Sequence, residues 1–126
     1  GRNAYPIELA LEAKNKGARV IAVTSMKHTT STASRDASGK KLFEVADIVI
    51  DNCGEVGDCA LSIDGLDVKL CPTSSMANAF IAQCINVACA EYLIKHNVDV
   101  PVFSSLNCDG TEERNDNLFK KYTRMY

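Results

Sequence analysis

The chain has 126 residues, of which 46% are hydrophobic and 24% charged, and its formal net charge is −2. A chain of this length forms one domain at most and buries roughly two thirds of its unfolded surface, which allows a real core. The small net charge and the lack of a basic block argue against nucleic-acid binding. The longest fully apolar runs span only a few residues, so no membrane-spanning helix is predicted.

The first element that the sequence predicts is a helix over residues 4–16. Asn3 is suited to the N-cap, and Pro6 lies where a first-turn proline is tolerated. Glu12 and Lys16 form a favourable i,i+4 pair, and Gly17 is typical of the residue that ends a helix.

Two apolar, mostly β-branched runs follow, at residues 20–23 and 46–50. Their composition predicts parallel strands buried on both faces and joined by a right-handed crossover. The polar residues 26–39 between them predict a long loop, with a short helix starting near Ser38. Residues 40–45 predict one or two helical turns.

The second half of the chain predicts a turn, a hairpin and a long helix. Residues 53–58 form the turn-rich loop, and short strands at 60–63 and 68–70 flank Asp64-Gly65. Pro72 breaks this run. Residues 75–96 then form a helix that is apolar on nearly every side, with Thr73 or Ser74 as its N-cap, so we expect it to be central or to lie in an interface.

The remaining residues predict weaker elements. Residues 100–103 are expected to be extended, residues 107–116 to form a polar loop, and residues 118–126 to form a basic helix or tail.

The cysteines number six: Cys53, Cys59, Cys71, Cys84, Cys89 and Cys108. A disulfide framework is typical of small secreted chains with few core residues, whereas this chain is rich in them. No pair has the C-x-x-C spacing, so zinc and thioredoxin chemistry are weakly supported. We therefore expect reduced, mostly buried thiols in a cytoplasmic protein, with no metal and no cofactor.

Glycine or hydroxyl residues adjoin the predicted helices and strands in three segments: Gly1-Arg2-Asn3, Thr24-Ser25 and Thr73-Ser74-Ser75. Two of them precede helices, where outward N–H groups and the helix dipole favour an anion. A phosphate ester has more acceptor oxygens than a carboxylate and suits such a site better. The alternative is that these serines and threonines are simple helix caps.

The candidates for acid–base chemistry are few. His28 follows the first strand, and Glu55 lies with Asp51 and Asp58 beyond the second. Each could serve as a general base, or could belong to a solvated loop. His96 ends a helix, where a cation is favourable, and reads as structural.

Three runs in order, GRNAYPIELALEAKNKGARVIAVTS, SGKKLFEVADIVIDNCGEVGD and PTSSMANAFIAQCINVACAEYL, resemble the C-terminal half of a sugar isomerase (SIS) domain. The similarity covers most of residues 1–110. More narrowly, the chain looks like a bacterial phosphosugar-binding group of SIS proteins related to phosphoheptose isomerase. It implies an α/β fold, a three-layer sandwich with a parallel sheet of flavodoxin-like type. Residues 1–126 would form the C-terminal part of one such domain.

The resemblance also implies a site. SIS domains bind the sugar phosphate with a Ser-x-Ser-Gly loop, of which Gly1 resembles the glycine, while Asn3 stands where many members have Thr. Thr24-Ser25 and the turn at Thr73-Ser74-Ser75 match further binding loops. Members dimerise or tetramerise, with pockets near subunit interfaces.

The expected function is therefore binding of a phosphorylated sugar or sugar derivative by a homodimer or tetramer, without nucleic acid or membrane. One reading is an aldose/ketose phosphate isomerase that uses His28 or Glu55 as its base. A second is a non-catalytic phosphosugar sensor. A third is a fragment that holds no complete site.

Overall fold

A computed structural model describes residues 1–123, which divide into a first unit, Gly1–Cys84, and a second unit that begins at Ile85. The elements in chain order are α1 (Ala4–Asn15), β1 (Ile21–Thr24), α2 (Met26–Thr30), α3 (Leu42–Val45), β2 (Ile48–Asp51), β3 (Cys59–Leu61), β4 (Leu70–Pro72), α4 (Thr73–Lys95) and α5 (Glu112–Tyr122). The chain is thus a mixture of helices and strands with a small parallel sheet.

The parallel sheet of the first unit pairs β1 with β2, in a register that sets Ile21 against Ile48 and Thr24 against Asp51. Both strands therefore end at the same edge, and the loops that follow them lie side by side. This edge positions the candidate site described below.

The prediction for α1 is confirmed. Asn3 occupies the N-cap position with extended backbone, although its side chain makes no capping hydrogen bond. Lys16 Nζ lies 3.2 Å from Glu12 Oε1. Gly17 follows the helix with a φ of +82°, in the left-handed region that glycine adopts without strain.

The predicted burial of both strands on both faces is wrong within the described residues. The buried side chains of the first unit come from three helices and one strand: Ile7, Ala10, Ala22, Thr24, Thr29 and Val45. Ala22 and Thr24 share one face of β1, because side chains alternate along a strand, and Ile21 on the other face is 51% exposed. In β2, Ile48 is 46% exposed. The buried strand side chains of the first unit therefore lie on one face of β1.

The predicted loop at residues 26–39 is wrong at its start, where the short helix α2 forms. The Ser25 hydroxyl accepts a hydrogen bond from the His28 N–H at 3.0 Å and caps this helix. The polar stretch gave no apolar periodicity that would reveal it. Ser38 lies in a turn rather than in a helix, while the helical turn predicted within 40–45 is confirmed as α3.

The predicted hairpin is confirmed, with strand ends shifted by one or two residues. Strands β3 and β4 are antiparallel, with Cys59 opposite Pro72 and Leu61 opposite Leu70. Pro72 is the last residue of β4, whereas the sequence predicted that the strand would end before it. The end of a strand tolerates a residue without an N–H donor.

The long helix α4 begins at Thr73, so Thr73 and Ser74 lie in its first turn rather than at its N-cap. The expected burial of its apolar side chains is not found, since no residue of α4 is buried and Phe80 is 71% exposed. Among residues 1–123, α4 is also long and apolar enough to cross a membrane, by a criterion that core helices of soluble proteins meet as well.

The cysteines are free, as expected, but they are not buried. Five are exposed, and Cys59 is intermediate. Two of the five, Cys84 and Cys89, belong to α4, whose apolar residues the rest of the described chain leaves uncovered.

In the second unit, the helix α5 begins at Glu112, inside the predicted polar loop 107–116. Two acidic residues in its first turn and two lysines in its last match the helix dipole. The Asn115 side chain also exchanges two hydrogen bonds with the Ser104 backbone, at 2.9 and 2.8 Å. Residues 100–103 form no strand. The predicted terminal segment 118–126 is helical to Tyr122, and its residues 124–126 lie outside the described residues.

Candidate functional site

A polar cavity of about 260 Å³ lies in the first unit, where β1 and β2 end. Its lining comes from the residue before α1, the end of β1, the start of α2, the loop after β2 and the first turns of α4: Gly1, Val23, Thr24, Ser25, His28, Asn52, Glu55, Asp58, Ser74 and Asn78. Ligands of open parallel sheets bind outside the carboxyl ends of the strands, so this cavity is the candidate site.

Seven of the residues singled out in the sequence line this cavity: Gly1, Thr24, Ser25, His28, Glu55, Asp58 and Ser74. Six others do not: Arg2, Asn3, Asp51, Thr73, Ser75 and His96. The structure therefore brings one or more members of each predicted segment together, although those segments are far apart in the chain.

Gly1 lies tightly against two threonine hydroxyls. A Cβ added to Gly1 would stand 2.9 Å from Thr24 Oγ1 and 3.2 Å from Thr29 Oγ1. No side chain fits there unless its neighbours move. Thr29 is fully buried, and its hydroxyl has no hydrogen-bond partner among residues 1–123. Sequence reasoning missed Thr29 because the residue lay in a predicted loop.

The Ser25 hydroxyl links the start of α2 to the loop after β2 through two hydrogen bonds. It donates to the Gly54 carbonyl at 2.6 Å and accepts from the His28 N–H at 3.0 Å. Gly54 is buried, and a Cβ there would approach Asn52 Oδ1 to 3.1 Å and Thr73 Oγ1 to 3.3 Å. The capping alternative raised for this serine is therefore what its hydroxyl does in the structure.

His28 accepts a hydrogen bond at Nδ1 from the Gly57 N–H, over 3.1 Å. A neutral imidazole that accepts at Nδ1 carries its proton on Nε2, so Nε2 is a donor in this arrangement. To act as a base through Nε2, the ring would have to protonate Nδ1 and give up the Gly57 bond. The geometry thus favours a hydrogen-bonding role for His28.

Glu55 forms an ion pair with Lys27, with Oε2 and Nζ 2.6 Å apart. The hydrogen bond and the positive charge of Lys27 hold the pKa of this carboxyl below its usual value. A lower pKa makes a weaker general base at neutral pH. Glu55 is therefore better suited to accept hydrogen bonds than to remove a proton.

Asp58 connects the loop after β2 to the start of α4. Its carboxylate accepts from the Ser74 N–H through Oδ1 and from the Ser74 hydroxyl through Oδ2, each at 2.8 Å. Its carbonyl accepts from the Thr73 N–H at 3.1 Å and the Thr73 hydroxyl at 2.9 Å. The hydrogen bonds from Ser74 lower the pKa of Asp58. Asp58 is thus the cap of α4 rather than part of a solvated loop.

Two asparagines complete the cavity, and sequence reasoning missed both. Asn52 Nδ2 donates to Asn78 Oδ1 at 2.8 Å, and Asn52 Oδ1 accepts from the Gly54 N–H at 3.0 Å. A signal was present, because Asn78 lies four residues after Ser74 and therefore on the same side of α4.

Within residues 1–123, no group of three histidine, cysteine, aspartate or glutamate side chains is arranged to hold a metal ion. The cavity's polar groups are hydroxyls, amides, one imidazole and two carboxylates. Such a set forms hydrogen bonds with a polar small molecule.

No family model matches this chain. It is similar to proteins named UPF0309 protein from several bacteria. It is 43% identical over 124 residues to the one from Halalkalibacterium halodurans, a match that covers 98% of the chain and 51% of that protein. It is 46% identical over 126 residues to the one from Thermoanaerobacter pseudethanolicus, again covering 98% of the chain and 51% of the relative. The chain spans about half the length of the curated relatives it matches.

Proposed function

We propose that this chain binds a phosphorylated sugar or sugar derivative in the cavity at the ends of β1 and β2. One observation carries the proposal: three predicted phosphosugar-binding segments, represented by Gly1, Thr24-Ser25 and Ser74, line one polar cavity. Its volume of about 260 Å³ is slightly below the roughly 300–1,000 Å³ typical of small-molecule sites, which suits a small polar ligand.

The phosphate is proposed to lie at the Gly1 side of the cavity. Gly1 is close in sequence to the start of α1, which has twelve residues and no acidic residue in its first turn. The N-terminal end of such a helix favours an anion. The hydroxyl of Thr24, which lines the cavity beside Gly1, adds a hydrogen-bonding group without charge.

Binding without turnover is the function that the geometry supports best. A base would have to be free to take a proton, whereas His28 accepts from Gly57 and Glu55 is paired with Lys27. A sugar-phosphate isomerase is the second candidate, because His28 and Glu55 both line the cavity. A cytoplasmic phosphosugar sensor is accordingly the leading proposal.

The architecture implied by the SIS resemblance is proposed with it. The parallel pair β1 and β2 would belong to a three-layer sandwich, and the protein would form homodimers or tetramers. The exposed apolar side chains of α4 support an oligomer, as does an apolar hollow of about 390 Å³ along its second half, lined by Ile85, Ala88, Cys89, Tyr92 and Leu93.

The test is to add a panel of pentose, hexose and heptose phosphates to the full-length protein and to record both thermal shift and ketose formation. A ligand at about 100 times its Kd should raise the Tm by several degrees. The same sugars without phosphate are the matched control. A shift without turnover supports the sensor, whereas turnover that is lost in His28→Ala or Glu55→Gln supports the isomerase. The absence of any shift across the panel would overturn the proposed function.

A further inference from the structure

The first turn of α4 lines the cavity through Ser74, and a helix start normally offers backbone N–H groups to an anion. In this helix, other groups already accept from two of those donors. The Ser74 N–H donates to Asp58 Oδ1 at 2.8 Å, and the Thr73 N–H donates to the Asp58 carbonyl at 3.1 Å. An incoming phosphate would therefore compete with a carboxylate that belongs to the protein.

The Ser74 hydroxyl also donates its hydrogen bond to Asp58. Its oxygen lies 2.8 Å from Asp58 Oδ2, and an ionised carboxylate has no proton to donate, so the hydroxyl is the donor. A hydroxyl has one proton. What Ser74 offers to other groups is consequently its lone pairs, which accept hydrogen bonds.

The charge at this side of the cavity acts in the same direction. Asp58 and Glu55 both line the cavity, and Lys27 neutralises only Glu55 through a close ion pair. The remaining negative charge of Asp58 repels a phosphate and attracts the hydrogen of an alcohol.

We propose that Asp58 is a positioning and specificity-determining residue, which makes the α4 side of the cavity a subsite for sugar hydroxyls and excludes the phosphate from it. This inference rests on the proposed function, because it concerns which part of a phosphosugar lies at that side. It also reverses the role that the sequence predicted for Thr73-Ser74-Ser75, from phosphate contact to hydroxyl contact.

The backbone around Asp58 allows a clean substitution. Gly57 and Asp58 have φ values of +83° and +73°, and asparagine tolerates the left-handed region as well as aspartate does. Asp58→Asn therefore keeps the turn while it removes the negative charge and the acceptor for the Ser74 hydroxyl.

The test is isothermal titration calorimetry of the full-length wild type and Asp58→Asn, with the panel of pentose, hexose and heptose phosphates and with inorganic phosphate. We expect the affinity for the bound sugar phosphate to fall about ten- to a hundredfold, as for a lost charge-assisted hydrogen bond. The affinity for inorganic phosphate should stay unchanged or increase.

Two further variants control this experiment. Asp67→Asn makes the same chemical change at an exposed hairpin position outside the cavity, and both affinities should match the wild type. Ser74→Ala removes the hydroxyl but keeps the N–H that Asp58 caps, so it serves if Asp58→Asn does not fold. Ser74→Ala should lower the affinity for the sugar phosphate several-fold and leave the affinity for inorganic phosphate unchanged.

Three outcomes would count against the inference. An equal loss of affinity for both probes would show that Asp58 only maintains the fold, and an unchanged affinity for the sugar phosphate would show that the subsite does not use it. If the wild type bound none of the panel, the proposed function itself would fail, and the subsite with it.

Discussion

The two sides of the cavity, at Gly1 and at the start of α4, have similar local sequences. They differ in whether a carboxylate of the protein already accepts hydrogen bonds from the start of the helix. Gly1-Arg2-Asn3 and Thr73-Ser74-Ser75 both place small or polar residues at the start of a helix. At α1, the Asn3 side chain makes no capping hydrogen bond, and the first turn contains no acidic residue. At α4, the Asp58 carboxylate accepts from the Ser74 N–H and hydroxyl. The same local pattern therefore leaves the start of α1 available to an anion, whereas at the start of α4 Asp58 already accepts from two N–H groups.

The difference comes from a residue that is distant in sequence. Asp58 lies 16 positions before Ser74, and the hairpin β3–β4 returns the chain so that the two meet. A helix-start pattern thus indicates an anion site only where no carboxylate from elsewhere in the fold has taken its donors.

The largest effect is expected from filling the space at the Gly1 side. In Gly1→Val, the new Cβ would stand 2.9 Å from Thr24 Oγ1 and 3.2 Å from Thr29 Oγ1. We expect a loss of about 1–3 kcal/mol in the free energy of unfolding, as for overpacking of a tight site, together with loss of sugar-phosphate binding. Urea denaturation and calorimetry measure the two effects.

The control for this variant is Gly39→Asn. A Cβ at Gly39 meets no atom within 4 Å, and asparagine tolerates the φ of +72° found there. Its stability and ligand affinity should be close to those of the wild type. If Gly1→Val bound sugar phosphate as tightly as Gly39→Asn does, the Gly1 side would not hold the phosphate.

The sequence predicted most of the helices and strands around the cavity, for identifiable physical reasons. Gly17 and the β-branched run after it located α1 and β1, because these signals are local. The hairpin and α4 were found in the same way. The Asp58 cap was not, because it depends on a contact across the hairpin, and α2 was not, because its residues are polar and only the Ser25 cap defines it.

The burial predictions failed for a different reason. Apolar composition shows that a surface is suited to burial but does not say what covers it. The exposed residues of α4 and the 51% exposure of Ile21 are both cases in which no described element packs on an apolar surface. The same cause accounts for the exposed thiols Cys84 and Cys89.

An intermediate effect is expected from acid. The hydrogen bonds from Ser74 lower the pKa of Asp58 below its ordinary value of 3.8. A carboxyl whose pKa is lower in the folded state stabilises the fold above its unfolded pKa, and that stabilisation is lost as the pH falls through the folded value. We therefore expect the urea concentration at the unfolding midpoint of the wild type to decrease when the pH is lowered below about 4. The decrease should be smaller in Asp58→Asn.

Other carboxyls also contribute to the loss of stability at low pH, since hydrogen bonds lower the pKa values of Asp47 and Asp51 as well. The informative quantity is the difference between variants across the pH range. Asp67→Asn should follow the wild type at every pH. Parallel curves for wild type and Asp58→Asn between about pH 2 and 6 would contradict the assignment of Asp58 as the cap of α4.

The smallest effect compares the buried Thr29 hydroxyl beside Gly1 with the Thr73 hydroxyl beside Asp58. Thr73 Oγ1 donates to the Asp58 carbonyl at 2.9 Å, whereas Thr29 Oγ1 has no partner among residues 1–123. Valine has nearly the same shape as threonine. Thr73→Val should therefore lower the free energy of unfolding by about 0.5–1.5 kcal/mol, the net value of a hydrogen bond. Thr29→Val should leave stability unchanged or raise it, because a buried hydroxyl without a partner is costly to desolvate.

Urea denaturation of the two valine variants measures this difference directly, and Thr30→Val adds a useful reference. Thr30 is exposed and its hydroxyl donates to the Met26 carbonyl within its own helix, so its substitution should have little effect. A loss in Thr29→Val as large as that in Thr73→Val would mean that the Thr29 hydroxyl is already paired. The contrast between an unpaired hydroxyl beside Gly1 and a paired one beside Asp58 would then disappear.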